Sequence, residues 1–144
     1  MIAVKLVSKK EASSWIHSLK PSAAIGILLS GDRWSCVDEI FLAKADGEKT
    51  VGIVTIASNG EGMSGKPTIV AIYVLPEYRR RIIGFSLLDA AVDYMLSKGL
   101  EPICIDALNS KILAMVSRLP VQKRQKINVV DFSMGGAMDA IFEA

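Results

Sequence analysis

Two apolar runs separated by an amphipathic helix constrain the fold of this chain more than any other feature. Thr68–Leu75 is a continuous apolar run of the kind found in strands that are buried on both faces. A helix is predicted over Arg80–Lys98, with Gly99 as its stop, and Ile103–Ala107 is the second buried run. A strand, a helix and a strand in this order predict a parallel pair of strands joined by a right-handed crossover.

The first half of the chain adds shorter elements around this unit. Ile2–Val7 is predicted as a strand. Ser8 is predicted to begin a helix, because Glu11 stands three residues later in the spacing of a capping box. The runs Cys36–Ala43 and Thr50–Ser58 flank a turn signal, which predicts a hairpin.

The last part of the chain is less regular. Ser110–Leu119 is predicted as a helix, and Val121–Lys126 as a polar, basic loop. Ile127–Ser133 and Ala137–Glu143 flank a glycine pair and are predicted as a closing hairpin, with a short helix over Met138–Glu143 as the alternative. Hairpins on either side of the parallel unit make the sheet mixed. The predicted class is therefore α/β or α+β, with sheet and helices in three layers.

Length and composition narrow the class of protein. The chain has 144 residues, which predicts a single domain over 1–144. Its net charge of +2 argues against a dedicated nucleic-acid binder. No apolar run is long enough to cross a bilayer and the first residues do not form a secretory signal, so we expect a cytoplasmic protein without a membrane span. One histidine, and two cysteines without metal-ligand spacing, predict no metal site.

Arg79, Arg80 and Arg81 stand between the first buried strand and the long helix. Cations at a helix N-terminus oppose the helix dipole, at roughly 0.3–1 kcal/mol each when they are exposed. An anion bound at the helix N-terminus would account for three arginines in this position, because backbone N–H groups and the arginine side chains can all bind it. The alternative is that they belong to a solvated loop.

The same segment resembles a known family. Acyl-CoA-dependent N-acyltransferases of the GNAT superfamily carry the pattern V-x-P-x-x-R-x-x-G-x-G/A between a central strand and their longest helix. Val74, Pro76, Arg79 and Gly84 match this pattern, and Ile82 replaces its first glycine. The order of the other predicted elements is also similar to that of the family. The resemblance implies a GNAT-like three-layer fold, with a central mixed sheet flanked by helices.

The resemblance implies a binding site for acetyl-CoA or another acyl-CoA. In the family, the pyrophosphate lies on the loop and helix N-terminus, and the matching positions here are Arg79, Arg80, Arg81, Ile82 and Gly84. The pantetheine arm pairs with the backbone of the central strand, here from Ile72 to Val74. It lies in a splay between that strand and Ile103–Ala107, and Asn109 matches a residue that contacts the arm.

The resemblance also implies transfer of the acyl group to an amine. The reaction needs a base for the proton of the amine, and an acid can protonate the leaving thiolate. The tyrosine that often serves as this acid falls at Val116, and family carboxylates fall at Cys104 and Ala71, so none of these three side chains can act.

Other residues are therefore candidates for the proton transfers. Asp106 is the only carboxylate inside a predicted core strand, which makes it the first candidate for the base. The alternative is that Asp106 caps the turn after its strand. Tyr73 and Ser117 are the candidate proton donors.

The acceptor that the resemblance implies is an amine of a small molecule or a peptide. The candidates to line the acceptor pocket are aromatic residues, each of which is more often part of the core: Trp15, Trp34, Phe41 and Phe132. A catalytically inactive acyl-CoA-binding or regulatory domain is the main alternative, favoured by the missing tyrosine and carboxylates. A nucleic-acid-binding module that uses Arg79–Arg81 and Gln122–Lys126 is a weaker one. Dimers are common in the family, so a homodimer is compatible with the resemblance.

Overall fold

The computed structural model describes residues 2–22, 25–26, 29, 31–58, 66–79, 82–106, 110–130 and 142–143. Its strands are β1 (Ala3–Val7), β2 (Glu39–Ala45), β3 (Lys49–Ala57), β4 (Thr68–Val74), β5 (Ile103–Asp106), β6 (Ile127–Val130) and β7 (Phe142–Glu143). Its helices are α1 (Lys9–His17), α2 (Gly31–Cys36), α3 (Ile83–Ser97), α4 (Ser110–Ser117) and α5 (Val121–Arg124). The strands form one sheet in the order β1–β2–β3–β4–β5–β6, with β7 beside β4.

The sheet is mixed, as the sequence predicts. The strands from β1 to β4 pair antiparallel in chain order. The strands β4, β5 and β6 pair parallel. The helix α3 connects β4 to β5, because parallel neighbours need a crossover.

The predicted start of α1 is confirmed. The Ser8 hydroxyl accepts a 3.0 Å hydrogen bond from the backbone N–H of Glu11, which satisfies one of the free donors at the helix N-terminus. Ala12 and Ile16 are fully buried on one face of the helix. The short N-terminal helix is thus fixed by its cap and by its apolar stripe.

The predicted hairpin between β2 and β3 is also confirmed. Its turn is a 3-10 segment, Asp46–Glu48, in which Gly47 has φ +76°. Glycine adopts this left-handed conformation without the steric penalty of a side chain, which explains the Asp-Gly signal in the sequence.

The core lies on both sides of β4. All seven of its side chains are buried, and successive side chains in a strand face opposite sides of the sheet. Both faces at β4 are therefore covered, as the three-layer prediction requires. On the α3 side, Gly52 of β3 leaves room for the helix. A Cβ at this position would stand 3.0 Å from Leu87 Cδ1 and 3.2 Å from the Tyr73 carbonyl oxygen.

Besides the start of α3, which lies at Ile83 instead of Arg80, three predictions of local structure are wrong. Cys36 ends the helix α2 instead of opening a strand, and β2 begins at Glu39. Lys9 of α1 donates its ammonium to the carbonyls of Trp34 and Val37, at 2.7 and 2.9 Å, and so caps the end of α2 from a distant part of the chain. The segment Val121–Lys126 holds the short helix α5 instead of a loop.

The closing hairpin is the third. The strand β6 runs parallel to β5, and β7 runs parallel to β4, so the two strands point the same way and cannot form a hairpin. The glycine pair that suggested the hairpin lies outside the described residues.

No helix among the described residues combines the length and the apolar character needed to cross a membrane.

Candidate functional site

The strand β4 has different partners along its two edges. One edge pairs with β3 from Thr68 to Val74. A bulge interrupts this pairing at Val70, because Thr55 pairs with Ala71 and its neighbour Ile56 pairs with Ile69. Along the other edge, the described pairing with β5 covers only Thr68 and Ile69. Beyond the bulge, at Ile72 and Tyr73, this edge pairs with β7 instead of β5, so a gap in the β4–β5 pairing begins here.

The backbone groups of β4 that face this gap can be assigned. Leu75, just after the strand, donates its backbone N–H to the carbonyl of Val51 on β3 at 2.9 Å. Since backbone groups alternate between the two edges of a strand, those of Ile72 and Val74 face away from β3. We call this stretch the Ile72–Val74 edge. It carries the positions that, by the family resemblance, would pair with a pantetheine arm.

Arg79 links the turn after β4 to the end of the strand by a hydrogen bond. Its Nε donates a 2.8 Å hydrogen bond to the carbonyl of Val74, and its guanidinium carbon lies 5.3 Å from the centroid of the Tyr73 ring. Between strand and arginine, Pro76–Tyr78 form a 3-10 turn. The predicted phosphate ligand is therefore also a structural residue of this turn. Arg80 and Arg81 lie outside the described residues.

The N-terminus of α3 follows this turn directly. Ile82 is the residue at the helix start, and its side chain is 57% exposed. Among the described residues, no side chain caps this end, and the first turn contains no acidic residue. Gly84 is buried in that turn. The free N–H groups of the first turn and the positive end of the dipole thus lie beside the end of β4.

The positions of the candidates, 73 on β4 and 106 on β5, fall on the same face of the sheet by register. Ala71 and Tyr73 pair with Thr55 and Ile53, on the face opposite to Gly52 and therefore opposite to α3. On β5, Cys104 is level with Thr68 on this face. Position 106 is two residues further along, so it shares the face by register. Tyr73 is 6% exposed.

Ser117, the other candidate proton donor, lies at the end of α4. It is exposed, and its hydroxyl donates a 2.7 Å hydrogen bond to the carbonyl of Ala114 in the same helix. Val116, at the position matched to the family tyrosine, is buried. Asn109 lies outside the described residues. The roles assigned to these residues stay predictions.

Cys104 is a core residue. Its side chain is 1% exposed, and burial raises the pKa of the thiol. A thiol that is buried and protonated is a poor nucleophile. The described residues also contain no group of three or more His, Cys, Asp or Glu side chains placed to hold a metal ion.

The basic segment Gln122–Lys126 is engaged in ion pairs. The ammonium of Lys123 lies 2.8 Å from Asp89 and 2.7 Å from Asp93 of α3. Hydrogen bonds from these two carboxylates raise the pKa of Lys123. Lys126 lies 2.8 Å from Glu101. These lysines are thus paired within the protein, which weakens the expectation that they bind a phosphate.

An apolar cavity of about 210 Å³ lies at the end of α1. Its lining includes Ile16, His17, Leu19, Pro21, Ile25 and Leu29. The aromatic residues predicted to line an acceptor pocket are not among these residues. Phe41 packs edge-to-face on Tyr94 of α3, with ring centroids 5.4 Å apart. Trp15 and Trp34 are partly buried against the core, and Phe132 lies outside the described residues.

One polar side chain near this site was not singled out in the sequence. Thr55, which pairs with Ala71 beside the bulge, is fully buried, and its hydroxyl has no hydrogen-bond partner among the described residues. The only signal in the sequence is a threonine within a run of apolar residues, and threonine is common in strands. Thr68, the other buried threonine, donates to the carbonyl of Lys66 at 2.7 Å.

Comparison with known proteins relates the chain to acetyltransferases. A family model described as "Acetyltransferase (GNAT) family" matches residues 12–115. No curated protein sequence matches the chain significantly. The IAA acetyltransferase from Bacillus cereus has a similar structure, with a TM-score of 0.59 and 18% identity over 82% of this chain and 75% of that one.

Two further solved structures have the same fold. The ribosomal-protein-S18-alanine N-acetyltransferase from Escherichia coli gives a TM-score of 0.54 and 17% identity, over 81% of this chain and 75% of that one. The aminoglycoside N-acetyltransferase AAC(6')-Iy, solved in complex with CoA, gives 0.55 and 20% identity, over 94% of this chain and 95% of that one.

Proposed function

The chain belongs to the acetyltransferase (GNAT) family, and we propose that it transfers an acetyl or other acyl group from acyl-CoA to an amine. One observation carries the proposal: the described pairing of β4 with β5 ends just before the N-terminus of α3, which no side chain of the described residues caps. A strand edge, whose described partner is the short strand β7, and a helix N-terminus thus lie side by side. Acyl-CoA can use both, because its amide groups can pair with a strand edge and its pyrophosphate can bind at a helix N-terminus.

The Ile72–Val74 edge fits the pantetheine arm. This arm contains two amide groups, which can exchange hydrogen bonds with a strand edge as another strand does. The first turn of α3 fits the pyrophosphate, since no side chain of the described residues caps its N–H groups and the turn itself contains no carboxylate. The exposed side chain of Ile82 points away from the protein interior, so the missing glycine leaves the backbone donors in place.

In the proposed reaction, acyl-CoA supplies an activated thioester. The amine attacks the thioester carbonyl, the C–S bond breaks, and the amine loses a proton. Asp106 is the proposed base that takes this proton, and Tyr73 or Ser117 would return a proton to the thiolate. The N–H of Val74, which faces the gap, would donate to the oxygen on which negative charge develops.

The acceptor is proposed only by class. Solved structures with this fold are named for aminoglycosides, for the alanine of a ribosomal protein and for IAA. Each name describes that protein alone. We propose a primary amine on a small molecule or a peptide, in a protein that acts in the cytoplasm.

A non-catalytic acyl-CoA-binding domain is the second candidate. It is favoured by the two apolar residues at positions where family members carry acidic or phenolic groups. Val116 is 9% exposed and Ala71 is 1% exposed, so neither position offers a proton-transferring group. This candidate has the same binding site but no turnover.

The test combines calorimetry with an activity screen. Acetyl-CoA and CoA are titrated into the wild type, Ile82→Asp and Ile82→Asn. The aspartate adds a charge that is favourable for the helix dipole but repels the pyrophosphate, and asparagine is the uncharged control of the same size. We expect micromolar binding to the wild type, about −8 kcal/mol, and affinity at least about tenfold weaker for Ile82→Asp only.

Each result has a distinct meaning. If the wild type binds neither ligand at millimolar concentration, the proposal is wrong. Equal affinities for Ile82→Asp and Ile82→Asn would place the pyrophosphate elsewhere. Binding without CoA release across a broad panel of amines would select the non-catalytic domain.

A further inference from the structure

The Ile72–Val74 edge already has a partner within the chain. The strand β7 pairs with β4 in parallel, with Phe142 opposite Ile72 and Glu143 opposite Tyr73. Because β3 occupies the other edge along the whole of β4, β7 lies on the side of β5. It continues along β4 where the described pairing with β5 ends.

The pairing uses backbone groups that the proposed function needs. The N–H and carbonyl of Ile72 face this side, as the bond from Leu75 to Val51 establishes. A backbone N–H forms one good hydrogen bond at a time, so Ile72 cannot pair fully with β7 and with a second extended chain. Occupancy by β7 and occupancy by an amide-containing arm therefore exclude each other at this residue.

We propose that β7 is an intramolecular competitor for acyl-CoA, and that it must leave β4 before the pantetheine arm can pair there. The inference rests on the proposed function. The described pairing of β7 covers two residues, and few hydrogen bonds hold a pairing of this length in place. A ligand that binds only the state with β7 displaced has an apparent affinity reduced by the fraction of molecules in that state.

The competition also gives the molecule a means of regulation. Any interaction that holds Phe142 and Glu143 away from β4 would raise the apparent affinity for acyl-CoA without changing its contacts. Because the two equilibria are linked, bound acyl-CoA would weaken the pairing of β7 with β4 by the same factor. The kind of partner that fits is a strand edge or a groove that accepts extended backbone.

The test compares Glu143→Pro with Glu143→Val in the full chain. Because the backbone groups of Ile72 face β7, the N–H of β7 that reaches Ile72 in this parallel register is that of Glu143 and not that of Phe142. Proline removes this N–H and fixes φ, which breaks the pairing, whereas valine keeps the donor and has high strand propensity. A variant that ends after Ala140 removes β7 altogether and serves if Glu143→Pro does not fold. CoA binding is measured by calorimetry. Hydrogen exchange of the Ile72 and Val74 amides is measured without ligand.

We expect faster exchange at Ile72 and CoA affinity raised about tenfold in Glu143→Pro, with Glu143→Val close to the wild type. Unchanged exchange would overturn the inference, because β7 would not protect this edge. Faster exchange with unchanged or weaker CoA binding would also overturn it, while leaving the proposed function standing. Faster exchange with no CoA binding by any variant, wild type included, would instead reject the proposed function together with the competition.

Discussion

The guanidinium of Arg79 stacks over the ring of Tyr73, with its central carbon 5.3 Å from the ring centroid. The same side chain donates its Nε proton to the carbonyl of Val74 at 2.8 Å. One arginine thus joins the face of β4 that carries Tyr73 to the edge that carries Val74. It holds the turn that leads to the N-terminus of α3.

Replacing Arg79 should therefore destabilise the fold as well as any anion site. We expect Arg79→Ala to lower the free energy of unfolding by about 1–2 kcal/mol, since it removes a charged hydrogen bond and a cation–π contact in a half-buried setting. Arg79→Lys should recover only part of the loss, because an ammonium does not present the planar fork. Urea denaturation measures both. Tyr73→Phe keeps the ring and is the matched control; a loss as large as that of Arg79→Ala would contradict the stacking contribution.

Gly52 should not tolerate a side chain. A Cβ there would stand 3.0 Å from Leu87 Cδ1 and 3.2 Å from the backbone oxygen of Tyr73, and backbone cannot move aside easily. We expect Gly52→Ala to lower the free energy of unfolding by about 1–3 kcal/mol. Gly26→Ala is the control, since no atom lies within 4 Å of its added Cβ. Equal midpoints of thermal unfolding for the two variants would show that α3 packs differently on β3.

Thr55→Val should stabilise the protein. The hydroxyl of Thr55 is fully buried without a partner among the described residues, and an unsatisfied buried polar group costs about 1–3 kcal/mol. Valine has nearly the same shape, so we expect the free energy of unfolding to rise by about 1 kcal/mol. Thr55→Ser keeps the hydroxyl and removes a methyl group, so it should destabilise. A loss of stability in Thr55→Val, measured by chemical denaturation, would mean that the hydroxyl is bonded in solution.

Lys123 should make stability depend on alkaline pH. Hydrogen bonds to Asp89 and Asp93 raise its pKa above the ordinary lysine value. A raised pKa in the folded state means that the contribution is complete below the unfolded pKa and is lost as pH rises through the folded one. We expect Lys123→Met to lower the free energy of unfolding by at most about 1 kcal/mol at neutral pH, because the lysine side chain is 26% exposed and water weakens its ion pairs.

The difference in unfolding temperature between wild type and Lys123→Met should then shrink as pH rises into the strongly alkaline range. The exposed Lys20 supplies the control, since Lys20→Met should show no such trend. If the difference in unfolding temperature grew with pH, the ion pairs of Lys123 with Asp89 and Asp93 would not be the source of its stabilising contribution.

The sequence predicted the elements whose stability is local or strongly apolar. The strand at Thr68–Val74 has seven buried side chains, and its run of apolar residues could hardly form anything but a buried strand. The start of α1 follows from the hydrogen bond between Ser8 and Glu11, three residues apart. The parallel β4–β5 pair follows from the intervening helix.

The errors came from contacts between distant residues. The helix α2 is capped by the ammonium of Lys9, which belongs to another helix, and no pattern near Cys36 reports it. The helix α3 begins at Ile83 and not at Arg80, since an uncapped start carries no residue signature. The strands β6 and β7 pair with β5 and β4, although the glycine pair between them suggested that they pair with each other.

The site was predictable only as a set of positions along the chain. Ile72 and Val74 were named because a family pattern matches this segment, and the backbone bond from Leu75 to Val51 then shows which edge they face. The sequence predicted a strand within Ala137–Glu143, where β7 lies, but not its pairing with β4, because that pairing joins residues far apart in the chain.

The location of the gap in the sheet has a consequence for assembly. Strands at the rim of a sheet, such as β1, offer their unpaired groups to any neighbouring molecule and invite aggregation. The Ile72–Val74 edge lies in the interior, with β3 and β5 as neighbours of the same strand. An edge in this position is flanked by strands of the same sheet, and its described partner is the single extended segment β7. Its backbone groups can therefore exchange one extended partner for another without standing at the rim, where strands of separate molecules pair.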